Sequence, residues 1–134
     1  MTTRNVAVRF AQLIEEMRFV EAFSMLAADG RYIVPGTTPV SRVYAGRQDL
    51  LDNLVPVLST FTAPPQLRFQ EPIVDGNRAA LMAGGSGTGP TGPYHQPYYA
   101  FVATVRGDEF SEIIEFMDLT MLETAVFGKR LVNA

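Results

Sequence analysis

Residues 81–105 read LMAGGSGTGPTGPYHQPYYAFVATV. The stretch opens as a strand, passes four glycines in the six positions 84–89, and returns to aromatic and β-branched residues. A phosphate loop, a long hairpin beside a pocket and a disordered linker are the competing readings. A phosphate-binding loop needs Lys followed by Ser or Thr at the start of a helix. A dinucleotide loop also needs a helix whose first amides face the anion. Here Pro90, Thr91 and Pro93 lead into another strand. The segment therefore reads as a hairpin connection or the rim of a pocket. Its glycines permit sharp twist or a bulge, and they remove side chains where something could bind.

Strand patterns surround this hairpin. LRFQEPIV precedes it and ends in a DGN turn at 75–77. NRAALMAGGSG and QPYYAFVATV are the hairpin strands, and a GDE turn at 107–109 leads into EFSEIIEFMDLT. Aspartate–glycine pairs suit the tight turns of antiparallel strands. The final MLETAVFGKRLV reads as a short helix or an irregular tail. Upstream, Val6, Phe10, Leu13, Met17 and Val20 recur at helical spacing and define one face. Asn5 is a candidate cap for that helix. A second short helix is expected over 19–27, closed by Ala28-Asp29-Gly30, before a brief strand at Tyr32, Ile33 and Val34. RQDLLDNLVPVLSTF is helical again, but Pro56 lacks an amide hydrogen, so a kink or break is expected near Asn53. The fold class is α+β, with N-terminal helices followed by a curved antiparallel sheet, as a single domain over 1–134.

Composition narrows the function classes. The 134 residues carry a formal charge of -3, and the only lysine is Lys129. That disfavours nucleic-acid binding, which needs clustered cations. There is no cysteine and one histidine, His95, which make a poor zinc ligand set. No segment has the length and apolarity of a membrane span, and MTTRNVAVRF lacks the apolar run of a secretory signal, so a cytoplasmic location is expected.

Taken together, AADGRYIVPG, YAGRQDLLDNL, TGPYHQPYYAFVATVRGDEFSE and EIIEFMDLTMLETAVFG resemble the SnoaL-like branch of the NTF2-like superfamily from about Val6 to Gly128. Their order and spacing carry the resemblance. It implies an NTF2-like cone, in which helices pack into the concave face of a bent antiparallel or mixed sheet and leave a deep, mostly apolar pocket. It also implies a homodimer, no cofactor, and a hydrophobic small molecule as partner. Members of this kind include ketosteroid isomerases, epoxide hydrolases, polyketide cyclases, dehydratases and noncatalytic binding domains, so the site has to decide the function.

The resemblance places an aspartate of catalytic members at Asp118. Beside Phe116 and Met117 on a pocket wall, that acid would resist ionisation and suit proton transfer; the alternative is a solvent-facing or helix-capping aspartate before Leu119 and Thr120. Glu115 matches another acidic position of the family and should face away from Asp118 unless a bulge intervenes. His95 is the expected partner of Asp118 in moving a proton, the alternative being a place on a loop outside the pocket. Tyr32 and Tyr98 are expected to line the pocket or polarise a substrate oxygen, with Phe116 as lining. Of the neighbours Tyr98 and Tyr99, only one should face inward. The steroid-isomerase pattern is missing, because Val34 stands where that enzyme's base would be. The epoxide-hydrolase letters Arg106 and Asp108 bracket Gly107 at a turn. The resulting expectation is a cofactor-independent enzyme that isomerises, cyclises, dehydrates or hydrates a neutral, apolar molecule of polyketide or terpenoid type. The alternatives are a noncatalytic small-molecule binder and a homodimeric structural protein.

Overall fold

The structure is a computed structural model, and it describes residues 2–134. Helix α1 (Thr3–Glu15) is capped by Thr2, whose side chain accepts from the amide of Asn5, so the cap lies three residues before the expected Asn5. Its inner stripe of Val6, Phe10, Leu13 and Ile14 is buried. The helix stops sooner than the hydrophobic spacing predicts. Met17 adopts φ 57°, a left-handed conformation that breaks the helical path. Met17 and Val20 consequently leave the core face and stand 42% and 59% exposed.

Helix α2 (Phe19–Phe23) is also short, and β1 (Leu26–Val34) begins where more helix was expected. The Ala28-Asp29-Gly30 stretch is thus an irregular part of a strand. The β1 register against its neighbour shifts between Leu26 and Arg31. Strand β2 (Arg42–Ala45) follows, then α3 (Arg47–Asn53) and α4 (Val55–Leu58). The break between those helices falls at Leu54, next to Asn53, as the sequence predicts, with Pro56 in the first turn of α4. LRFQEPIV divides into β3 (Ala63–Phe69) and β4 (Ile73–Asp75), separated by Gln70, Glu71 and Pro72. Strands β5 (Arg78–Gly89) and β6 (Gly92–Arg106) form the long hairpin, and β7 (Glu109–Phe116) runs into α5 (Leu119–Ala125).

The seven strands form one curved, unclosed sheet in the order β2-β1-β7-β6-β5-β3, with β4 also paired to β5. The β1–β7 pairing is parallel and the others are antiparallel. Helix α1 packs on β3, β5 and β6. Phe10 meets Phe23, Phe101 and Phe110 edge-on at 5.4–6.1 Å, joining the helices to the centre of the sheet.

The glycines of β5 serve close backbone approach. A Cβ on Gly84 would strike the carbonyl oxygen of Pro97, and one on Gly85 would strike that of Gln66. Here β5 lies between β3 and β6. The β5–β6 register passes from Ala83↔Tyr99 to Gly85↔Gln96, so β6 holds one extra residue in a bulge at Pro97 and Tyr98.

Candidate functional site

A cavity of about 70 Å³ lies between the sheet and helices α2, α4 and α5. Its wall is almost wholly apolar or aromatic, with Phe23, Val34, Leu58, Phe61 and Met117 among its side chains. Glu115 is the one acidic or basic residue on that wall among the described residues. It arrives there by parity. A shift in the β6–β7 register opposite Ser111 leaves Phe110 and Ile113 both buried, and alternation from Ile113 turns Glu115 and then Met117 inward. Phe116 points outward and is 45% exposed, correcting its expected place in the pocket.

The Tyr32 hydroxyl donates to Oε1 of Glu115. Tyr32 is fully buried on β1 and brings its ring edge-on to Phe23 and Tyr44. Glu115 makes no other hydrogen bond, yet no fully enclosed polar side-chain atom among the described residues lacks a partner. Oε2 therefore keeps accessible surface, and Glu115 lines the cavity wall. Removing the carboxylate from water pushes its pKa up from 4.5 to about 7, against the opposing influence of the Tyr32 hydrogen bond. Near neutrality Glu115 can thus accept or release a proton. Tyr32 itself is held far above the usual tyrosine range, chiefly by burial and then by the charge of Glu115, so it remains a donor.

A second polar group adjoins the first. Tyr94 and Tyr99 both line the cavity, with their hydroxyl oxygens 2.5 Å apart. Gln96 is fully buried and fixes this pair from behind. One amide hydrogen of Gln96 goes to the Tyr94 hydroxyl at 3.1 Å, and the other goes to the carbonyl of Asp118 at 2.9 Å. Its oxygen accepts from the backbone amide of Asp118 at 2.9 Å. Burial raises both tyrosines, Tyr94 to about 12, so both keep their protons at neutral pH. Either hydroxyl of the pair can be the donor, and the Tyr94 O–H also has the Met117 Sδ as an acceptor at 3.9 Å, so the pair can turn one O–H toward a ligand oxygen.

The remaining expected residues lie elsewhere. The exposed carboxylate of Asp118 caps α5, accepting from the amides of Thr120 at 3.0 Å and Met121 at 3.3 Å, and it is absent from the cavity wall. Its backbone, not its carboxylate, contacts the polar group through Gln96. His95 is exposed on the opposite side of β6, with Nδ1 2.6 Å from the Ser86 hydroxyl. The expected Asp118–His95 proton pair therefore does not form. Tyr98 is 78% exposed, and Tyr99 takes the inward place because the β6 bulge reverses the alternation that begins at Tyr94 and Gln96. Tyr32 reaches the site by holding Glu115, not by lining the cavity wall. Arg106 turns to Asp29 at 2.5 Å, away from the cavity. The recognisable signal for the missed residues is an inward β7 acid together with tyrosines on neighbouring strands. Using it requires both bulges to be placed correctly.

Among the described residues, no group of three His, Cys, Asp or Glu side chains could hold a metal ion, and no helix is long and apolar enough to cross a membrane. No family model and no curated protein matches the sequence. The fold does have solved counterparts. An NTF2-like protein of unknown function from Burkholderia pseudomallei superposes with a TM-score of 0.78, at 15% identity over 94% of this chain and 98% of its own. A SnoaL-like polyketide cyclase candidate from Jannaschia sp. CCS1 gives 0.74, at 14% identity over 96% and 93%. An NTF2-like protein from Burkholderia xenovorans gives 0.70, at 21% identity over 94% and 98%. The α+β cone of this chain is the NTF2-like fold, shared with SnoaL-like proteins.

Proposed function

We propose that this protein is a cofactor-independent acid–base enzyme acting on a small uncharged molecule with a carbonyl or hydroxyl oxygen. The observation that carries the reading is Glu115 on the cavity wall, with one carboxylate oxygen fixed by Tyr32 and with a pKa of about 7. No cationic side chain lines the cavity among the described residues, which disfavours an anionic substrate. The apolar wall holds carbon, and the Tyr94–Tyr99 pair donates to the ligand oxygen. In its carboxylate form, Glu115 takes a proton from the carbon next to a carbonyl. The C–H electron pair forms the enolate, whose oxygen charge the Tyr94–Tyr99 pair stabilises, and Glu115 returns the proton to carbon or oxygen. The same cycle serves isomerisation, cyclisation, dehydration or hydration.

The test is solvent-deuterium incorporation next to the carbonyl of short methyl ketones, followed by NMR. Wild type should catalyse exchange, and Glu115→Gln should lower it by about 10²-fold or more. Absence of catalysed exchange across the series, or equal exchange by the variant, would overturn the enzymatic reading. The second reading is a ligand binder without turnover, favoured by the small cavity. It requires binding of those ketones without catalysed exchange. The apolar outer face of the sheet supports a homodimeric assembly.

A further inference from the structure

Two separate spaces meet at one side chain. Leu58 lines the inner cavity and also an outer groove of about 290 Å³ bounded by Met17, Phe19, Val20, Val55 and Pro64. Three elements contribute to both spaces. Helix α2 gives Phe23 to the cavity and Phe19 and Val20 to the groove. Helix α4 shares Leu58, and the start of β3 gives Pro65 inside and Pro64 outside. The wall between the spaces is therefore narrow at Leu58. This part of α4 is suited to move. The helix has only four residues, none fully buried, and no side-chain cap.

The size of the inner cavity limits what it can hold. A cavity of about 150 Å³ admits a benzene ring, whereas this one is about 70 Å³. Only a head of a few heavy atoms fits beside Glu115 without rearrangement. The groove across Leu58 is larger and apolar, with Met17 and Val20 facing solvent. Isolated exposed apolar residues are ordinary, but these lie directly outside a ligand cavity whose wall is also apolar.

We infer that the ligand is a two-part molecule, with a compact carbonyl or hydroxyl head at Glu115 and an unbranched aliphatic tail passing Leu58 into the Met17–Val20–Val55 groove. This inference rests on the proposed role of Glu115 for the location of the head. The charge pattern agrees with that orientation: the acid is in the inner cavity, while the side chains of the outer groove are hydrocarbon, thioether or aromatic, apart from Ser59. Tail burial supplies affinity, and the hydrogen bonds orient the head.

Calorimetric binding of a methyl-ketone series with lengthening unbranched tails, performed on the intact chain carrying Glu115→Gln, tests this without requiring turnover. Affinity should rise by about three- to fourfold per added CH₂ after the head fills the inner cavity. Val20→Glu should weaken the longest ketone by about tenfold or more and leave the shortest within twofold, because only the tail reaches that site. Leu58→Ala should open the wall between the two spaces and improve binding of tails branched near the head. Circular dichroism must show that each variant retains its fold; Val20 is exposed, so its replacement provides the primary result. A plateau of affinity at the shortest ketones, or equal loss for short and long ketones in Val20→Glu, would overturn the tail assignment. Deuterium exchange by wild type reports separately on acid–base chemistry, so either result can fail alone.

Discussion

At Glu115, burial and hydrogen bonding act in opposite directions. Burial raises the carboxyl pKa, while Tyr32 stabilises the ionised form. Tyr32→Phe should therefore move the pH midpoint of exchange above about 7, whereas a purely structural role for Tyr32 would lower the rate without moving the midpoint. Folding stability has a related pH dependence. Because the folded acid binds its proton more tightly than the unfolded one, its contribution is most favourable below pH 4.5 and is lost as pH rises through about 7. Glu115→Gln should raise stability at pH 8 by up to about 3 kcal/mol, less the relief supplied by water in the cavity, and the gain should disappear below pH 4.5. Urea unfolding at the two pH values measures it. Asp118 gives the contrasting case. Asp118→Asn retains a capping oxygen and should leave exchange within about twofold of wild type, while Asp118→Ala should cost about 1 kcal/mol of stability. A large selective loss of exchange in Asp118→Asn would instead return the acid–base role to that residue.

The hairpin shows why alternation located the strands more readily than it oriented their side chains. An extra residue at Pro97 and Tyr98 exchanges the two faces of β6, so Tyr94 and Gln96 are inward before it and Tyr99 and Phe101 after it. Helical spacing failed at a similarly local irregularity. Met17 continues the apolar period in sequence, but its positive φ ends the path along which that period has meaning. By contrast, Pro56 announces its break because its missing amide is a property of the residue itself. The long-range cause of the glycine run is invisible until β3 lies against β5. Gly85→Ala should destabilise the fold by about 1–3 kcal/mol because its new methyl group meets the Gln66 carbonyl, a backbone atom that cannot turn aside. Gly76→Ala is the useful comparison: a Cβ there meets nothing within 4 Å, although φ 60° still adds local strain. Denaturation of both variants separates the close-approach cost from the conformational one.

Across the whole molecule, strand order converts scattered apolar residues into a continuous outer ribbon. The pairings connect Ile73 to Ala80, Val102, Ile114, Ile33 and Val43 across six strands. A parallel row brings together Met82, Ala100 and Phe116. These side chains lie on the face opposite the inward Tyr99, Phe101 and Glu115, and none is fully buried. The sequence supplies their alternation, but only the sheet order joins them into a surface. An apolar sheet face of this extent is suited to pack against a second sheet. The proposed occupant is another copy of this chain, which would bring the same ribbon to the interface. Light scattering at micromolar concentration should therefore give about twice the monomer mass of 14.7 kDa. Phe116→Arg should shift that mass toward the monomer while retaining the fold, because the changed side chain is already partly exposed in one copy. A wild-type mass of 14.7 kDa would reject the dimer. An unchanged dimer in a folded Phe116→Arg variant would place the contact elsewhere.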